Sequence, residues 1–182
     1  MVNGLFDKSF KEILSSQLVS IAGGLIAGVV LAATTNKLLL IPGMLITLPG
    51  FLDMRGNISG ALASRLSSGL SLGVIKPKGF KTKIIKGNVT ASFILAAIIS
   101  LFLGLIAFMF NNLALHVFNP SIIMIFLIAG LIASAIEIPV AIFFTFYFFR
   151  KGHDPNNILG PFVTSTGDIT SILSLLIALV II

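Results

Sequence analysis

The residues of this chain that could do chemistry are acidic and hydroxyl side chains set inside long apolar runs. Asp168 lies near the centre of the last run, and Asn157, Thr164, Asp168 and Ser171 recur at spacings of 7, 4 and 3, which places them along one helix face. An ionised carboxylate at mid-bilayer costs about 2.5 to 3.5 kcal/mol on insertion scales, so it needs a partner, a proton or water. Such a face suits a pore lining. The other reading is a protonated or paired structural aspartate whose neighbouring hydroxyls bond their own backbone. Glu137 stands midway along the preceding run, two residues before Pro139, whose ring removes a backbone bond and can bend the helix. It is a candidate for the same cavity, with structural pairing to Arg55 or Arg65 as the alternative. Oxygen donors of this kind favour a hard cation. There is no cysteine, and the only histidines, His116 and His153, are far apart, so zinc and copper fit poorly. Magnesium keeps most of its waters, and one or two carboxylates with carbonyls and hydroxyls suffice to hold it. Two copies meeting at their last helices would present two Asp168 carboxylates to one divalent ion.

The elements that must position these residues are membrane spans. Apolar residues make up 57% of the 182 positions and charged ones 10%, too few charges to cover a soluble surface. The composition predicts an all-α, polytopic membrane protein of five transmembrane helices. Residues 4–17 form an amphipathic start, and the charge-free stretch after Glu12 gives a first span at about residues 16–35. A retained span is favoured over a signal peptide, because the apolar core is too long and too deep in the chain. Residues 38–73 would reach about 54 Å as one straight helix, so a bent second span is expected, interrupted between Pro49 and Asn57. Further spans fall at about residues 89–110, 122–149 and 158–182. The whole chain, 1–182, reads as one transmembrane domain with no soluble domain. Gly60, Ser64, Ser68 and Ser71, the pair Gly24 and Gly28, and the pair Gly130 and Ser134 form small-residue stripes suited to close helix packing.

The formal charge of +6 points to topology rather than nucleic acid, since the basic residues gather between apolar runs without interleaved aromatics. Lys76, Lys78, Lys81, Lys83 and Lys86 follow the second segment, and Arg150 and Lys151 follow the fourth. With Lys8 and Lys11 on the same side, the positive-inside rule gives an internal amino terminus, five crossings and an external carboxyl terminus in a multi-pass cell-membrane protein.

Two stretches resemble the transmembrane domain of the MgtE divalent-cation channels and their eukaryotic solute-carrier relatives. One is Pro49-Gly-Phe-Leu-Asp-Met-Arg-Gly-Asn57 with Leu62-Ala-Ser-Arg-Leu-Ser67; the other is Asp154-Pro155 with Gly160-Pro161-Phe-Val-Thr164 and Asp168. The resemblance implies a homodimer with a central pore that moves Mg²⁺ or another hard divalent cation, the ion being cargo and no cofactor being needed. It implies that Asp168 is the ion-binding carboxylate and that Asn57 lies near the pathway. Asp154, with Pro155, is expected to shape the cytoplasmic mouth of the last helix. With Thr164 and Glu137 these are the candidate metal-contacting residues. The acidic amino-terminal domain and paired CBS modules of the bacterial channels have no counterpart in these 182 residues, so the resemblance does not imply their magnesium-dependent gating.

Two other classes compete. An intramembrane aspartyl protease needs two carboxylates sharing a proton, and Tyr147 is followed by Phe148 where the second aspartate would be expected. A serine protease needs a base beside its serine, and both histidines fall in loops. A non-conducting scaffold subunit, its polar residues only holding helices together, is the remaining alternative.

Overall fold

A computed structural model describes residues 7–77, 79 and 82–182. The first residues of the amphipathic start, Gly4 to Phe6, and two lysines of the basic loop, Lys78 and Lys81, lie outside them. Five helices follow one another: α1 (Lys8–Leu38), α2 (Met44–Ser71), α3 (Lys83–Ala114), α4 (Ser121–Arg150) and α5 (Pro155–Ile181). The chain is all-α over the described residues, and α1, α3, α4 and α5 are long and apolar enough to cross a membrane. The more polar α2 is not among these four. It is instead sheltered by packing against α3, α4 and α5.

Local sequence explains the helix ends. The Asp7 carboxylate accepts the Phe10 amide at 2.8 Å, and Thr82 caps α3 in the same way through Ile85. Asp154 caps α5, with Pro155 in the first turn, where its missing N–H costs nothing. The amphipathic start is not a separate element, because the capped helix runs unbroken from Lys8 into the first apolar run.

The interruption expected between Pro49 and Asn57 is displaced. The chain breaks instead at residues 39–43, where Gly43 adopts φ +75° before α2 begins. From Met44 the helix continues through Pro49 to Ser71. Pro49, the sixth residue of α2, forfeits the bond to the Leu45 carbonyl as any interior proline does, a loss the surrounding helices tolerate.

Inside the bundle, α5 is central and packs against α1, α2 and α4, while α3 packs against α2 and α4. One apolar core joins Phe51, Met54, Ile58, Ile125, Phe126 and Leu175; a second, toward the basic loops, joins Leu62, Leu66, Ile138, Phe146 and Val163. Close approaches rest on small residues. A Cβ on Gly104 would lie 2.8 Å from the Ile123 Cα, and one on Gly23 would lie 2.7 Å from the Ser165 Cβ. Of the stripes read from the sequence, Gly130 and Ser134 are buried and serve this purpose. Gly24 and Gly28 instead face outward with nothing near them, and the α1–α5 approach is made by Gly23 and Ala27.

Candidate functional site

Outward faces of α1 and α3 are apolar: Leu18, Ile21, Leu25 and Val29 on α1, and Ile94, Ile98, Phe102 and Ile106 on α3. The outward face of α2 differs. Asp53, Asn57, Ser64, Ser68 and Ser71 are all exposed and follow spacings of 4, 7, 4 and 3 along one side of the helix. The stripe expected to pack helices together therefore points away from the rest of the chain, and the serines buried in α2 are Ser59 and Ser67. Asn57 Nδ2 donates to Asp53 Oδ2 at 2.8 Å, and the two residues overhang a cavity of about 330 Å³ walled by Leu95, Ile99 and Leu103 of α3.

Beside this stripe runs the polar face of α5. The two helices are antiparallel, since Ser71 and Pro155 wall one pocket while Gly56 sits against Thr164. A Cβ on Gly56 would stand 3.2 Å from Thr164 Oγ1, so the absent side chain lets the helices touch. Thr164 is exposed and Asp168, at the midpoint of α5, is partly exposed on the same side. Asp53 precedes Gly56 by one turn and Asp168 follows Thr164 by one turn. On antiparallel helices both steps run in the same direction, so the two carboxylates share one depth. Asp53 was legible in the sequence as the i, i+4 partner of Asn57, but only the fold reveals that it shares a level with Asp168.

The four residues spaced along α5 divide in the structure. Thr164 and Asp168 face outward, whereas the Ser171 hydroxyl is fully buried and Asn157 is turned toward α1. Asn157 Nδ2 donates to Glu12 Oε2 at 3.1 Å, and Glu12 Oε1 lies 2.9 Å from His153 Nδ1 and 3.8 Å from Lys8 Nζ. Burial would raise the Glu12 carboxyl, but the hydrogen bonds from Asn157 and His153 outweigh it and hold the group below its ordinary value of 4.5. Asp154 is exposed beside this cluster, its carboxylate accepting the Asn156 amide at 2.9 Å, and with Glu12, His153 and Pro155 it lines a cavity of about 420 Å³.

Glu137 is not on the outward face. It is fully buried where α4 meets α2 and α5, and Thr170 Oγ1 donates to Glu137 Oε1 at 2.9 Å. Gly167 and Thr170, the α5 positions that meet it, are turned about 100° and 200° from Asp168 around the helix. Arg55, 2% exposed, shares this junction: its guanidinium donates to the Gly130 carbonyl at 2.9 Å and to the Ser134 hydroxyl. Arg65, the other arginine weighed for that pairing, is exposed and bonds the Ala61 carbonyl of its own helix. Among the described residues no cluster of three or more His, Cys, Asp or Glu side chains is gathered for a metal. The arrangement within one chain is thus an open polar face of carboxylate, amide and hydroxyl oxygens.

Compared with known families, residues 48–178 match the family described as MgtE, divalent cation transporter. That match begins within the first turns of α2 and runs nearly to the end of α5. Neither the curated proteins nor the solved structures give a match.

Proposed function

The chain belongs to the MgtE family of divalent cation transporters, and on that premise we propose that it carries Mg²⁺ across the cell membrane through a pore formed where two copies face each other. The family is one of transporters rather than enzymes, and several apolar helices make the chain a multi-pass membrane protein. One observation carries the finer reading: the polar face shared by α2 and α5 turns outward, while α1 and α3 show lipid-like surfaces. A face bearing Asp53, Asn57, Thr164 and Asp168 cannot rest against hydrocarbon without a large cost, so it is covered by something wet. A second copy related by a two-fold axis covers it with the same face and encloses a water-filled path.

In that path Asp168 is the ion-binding carboxylate. Two copies of it neutralise one divalent ion, and Asn57, Asp53 and the Thr164 hydroxyl hold the waters that magnesium retains. Asp154 marks the cytoplasmic mouth at the start of α5. All five helices cross in this arrangement, α2 sheltered by its neighbours and its partner copy, with the amino terminus inside as the lysine-rich loop requires. Glu137 stays outside the path.

Proteoliposomes loaded with a magnesium-sensitive dye test this reading. Influx is expected from the wild-type chain and not from Asp168→Asn, with the folded dimer intact in both. Equal flux from the two proteins would refute the site, and no flux from either would favour the scaffold reading.

A further inference from the structure

Behind the polar face lie two buried groups of opposite charge, near each other but without a direct hydrogen bond. Arg55 sits one residue before Gly56 on α2, and Glu137 projects from α4; both flank Gly167, on which a Cβ would lie 3.6 Å from the Arg55 Cβ and 3.9 Å from the Glu137 Cδ. Each charge is anchored to a different neighbour. Arg55 is fixed to α4 through the Gly130 carbonyl and the Ser134 hydroxyl, and Glu137 is fixed to α5 through Thr170. Among the described residues, Arg55 Nε and Glu137 Oε2, a donor and an acceptor, are buried and make no hydrogen bond, to each other or to any other group. Removing two charges from water is costly, and hydrocarbon surroundings raise that cost, so each requires the other nearby.

We propose that Arg55 and Glu137 are positioning residues whose opposite buried charges, anchored to α4 and α5, fix the rotation of α5 against α2 and α4, keeping the face with Gly160, Thr164 and Asp168 turned outward. The geometry supports rotation in particular. Thr170 and Gly167 are gripped on the side of α5 away from Asp168, so a turn of α5 about its axis would break the Thr170 bond and swing Asp168 toward its neighbours. Neutralising one partner leaves the other charge buried and uncompensated, whereas neutralising both removes that penalty. The importance of the outward face rests on the transport reading; the rotation itself does not.

The chain has no cysteine, which permits a direct measurement of that rotation. Gly160 is exposed with nothing within 4 Å of a Cβ built on it, so Gly160→Cys reports the α5 face, and Ser64→Cys reports the α2 stripe. Full-length dimers carrying one reporter are labelled with a membrane-impermeant thiol reagent. In Glu137→Gln, labelling at Gly160→Cys is expected to slow at least about threefold while Ser64→Cys is unchanged, and in Arg55→Gln with Glu137→Gln it returns to within about twofold of the parent. The proposal is overturned if Glu137→Gln labels like the parent, if the double variant is no better than the single, or if both reporters slow together. Labelling needs no ion flux. A parent that labels as expected but carries no Mg²⁺ would therefore refute the transport reading while its labelling pattern still supported the positioning role.

Discussion

The outward groove of α2 and α5 and the junction behind it use the same residue types for opposite ends. In the groove, Asp53, Asn57, Thr164 and Asp168 are open, lightly bonded and free to exchange partners. At the junction, Arg55, Ser134 and Glu137 are enclosed, and with the half-buried Thr170 they tie three helices together. Burial makes the difference: a polar group facing water keeps its solvation and can trade it for an ion, whereas an enclosed one must be satisfied by protein and so becomes structural. Within a membrane protein, therefore, an acidic residue inside an apolar run does not by itself declare a pathway.

Stability measurements in detergent should separate the two regions. The largest effect is expected for Arg55→Ala, which leaves Glu137 buried without its counter-charge and should cost about 3 to 5 kcal/mol. A loss as small as that of a surface substitution would erase the distinction. Next comes the α3–α4 seam. Gly104→Ala pushes a methyl group to 2.8 Å from the Ile123 backbone and should cost about 1 to 3 kcal/mol. Gly167→Ala meets ordinary contact distances and should be neutral or mildly stabilising, by up to about 1 kcal/mol from helix propensity. If the two glycines respond alike, the close approach of α3 and α4 is not what limits the packing.

A smaller effect is expected at the α1–α5 contact. The Glu12 carboxyl titrates below its ordinary value of 4.5 in the folded chain, so the stability it adds is complete above that value and disappears as the pH falls through the lower folded value. Acid melts of the wild type should show this loss below pH 4.5, and Glu12→Gln should flatten it. The smallest effect belongs to the groove: Asn57→Ala and Ser64→Ala should change stability by less than about 0.5 kcal/mol, since both side chains are exposed.

Much of this architecture was legible from residue spacing. Apolar runs gave the helices, and the scarcity of charge inside them drew attention to Asp168 and Glu137. What spacing could not supply was the direction each face takes. The stripe through Ser64, Ser68 and Ser71 reads equally well as helix packing or as a groove, because a small polar residue permits both, and only the position of α3 and α5 around α2 decides. Asn157 shares a face with Asp168 on an ideal helix, yet lies close enough to α1 for Glu12 to claim it. Pro49 suggested a broken helix because proline is costly in a helix interior; packing against α3, α4 and α5 holds the helix through that cost, and the turn at Gly43 had already shortened the segment. The place of Asp53 beside Asp168 is not legible in the sequence, since it depends on the Gly56–Thr164 approach, which brings together two helices more than a hundred residues apart.

The central claim is that the open face around Asp168 carries the ion. Its most direct test is Mg²⁺ influx into dye-loaded proteoliposomes, comparing the wild-type chain with Asp168→Asn at equal amounts of folded protein. The account predicts rapid entry of the ion with the wild type and background signal with the variant. Undiminished influx through Asp168→Asn would contradict it.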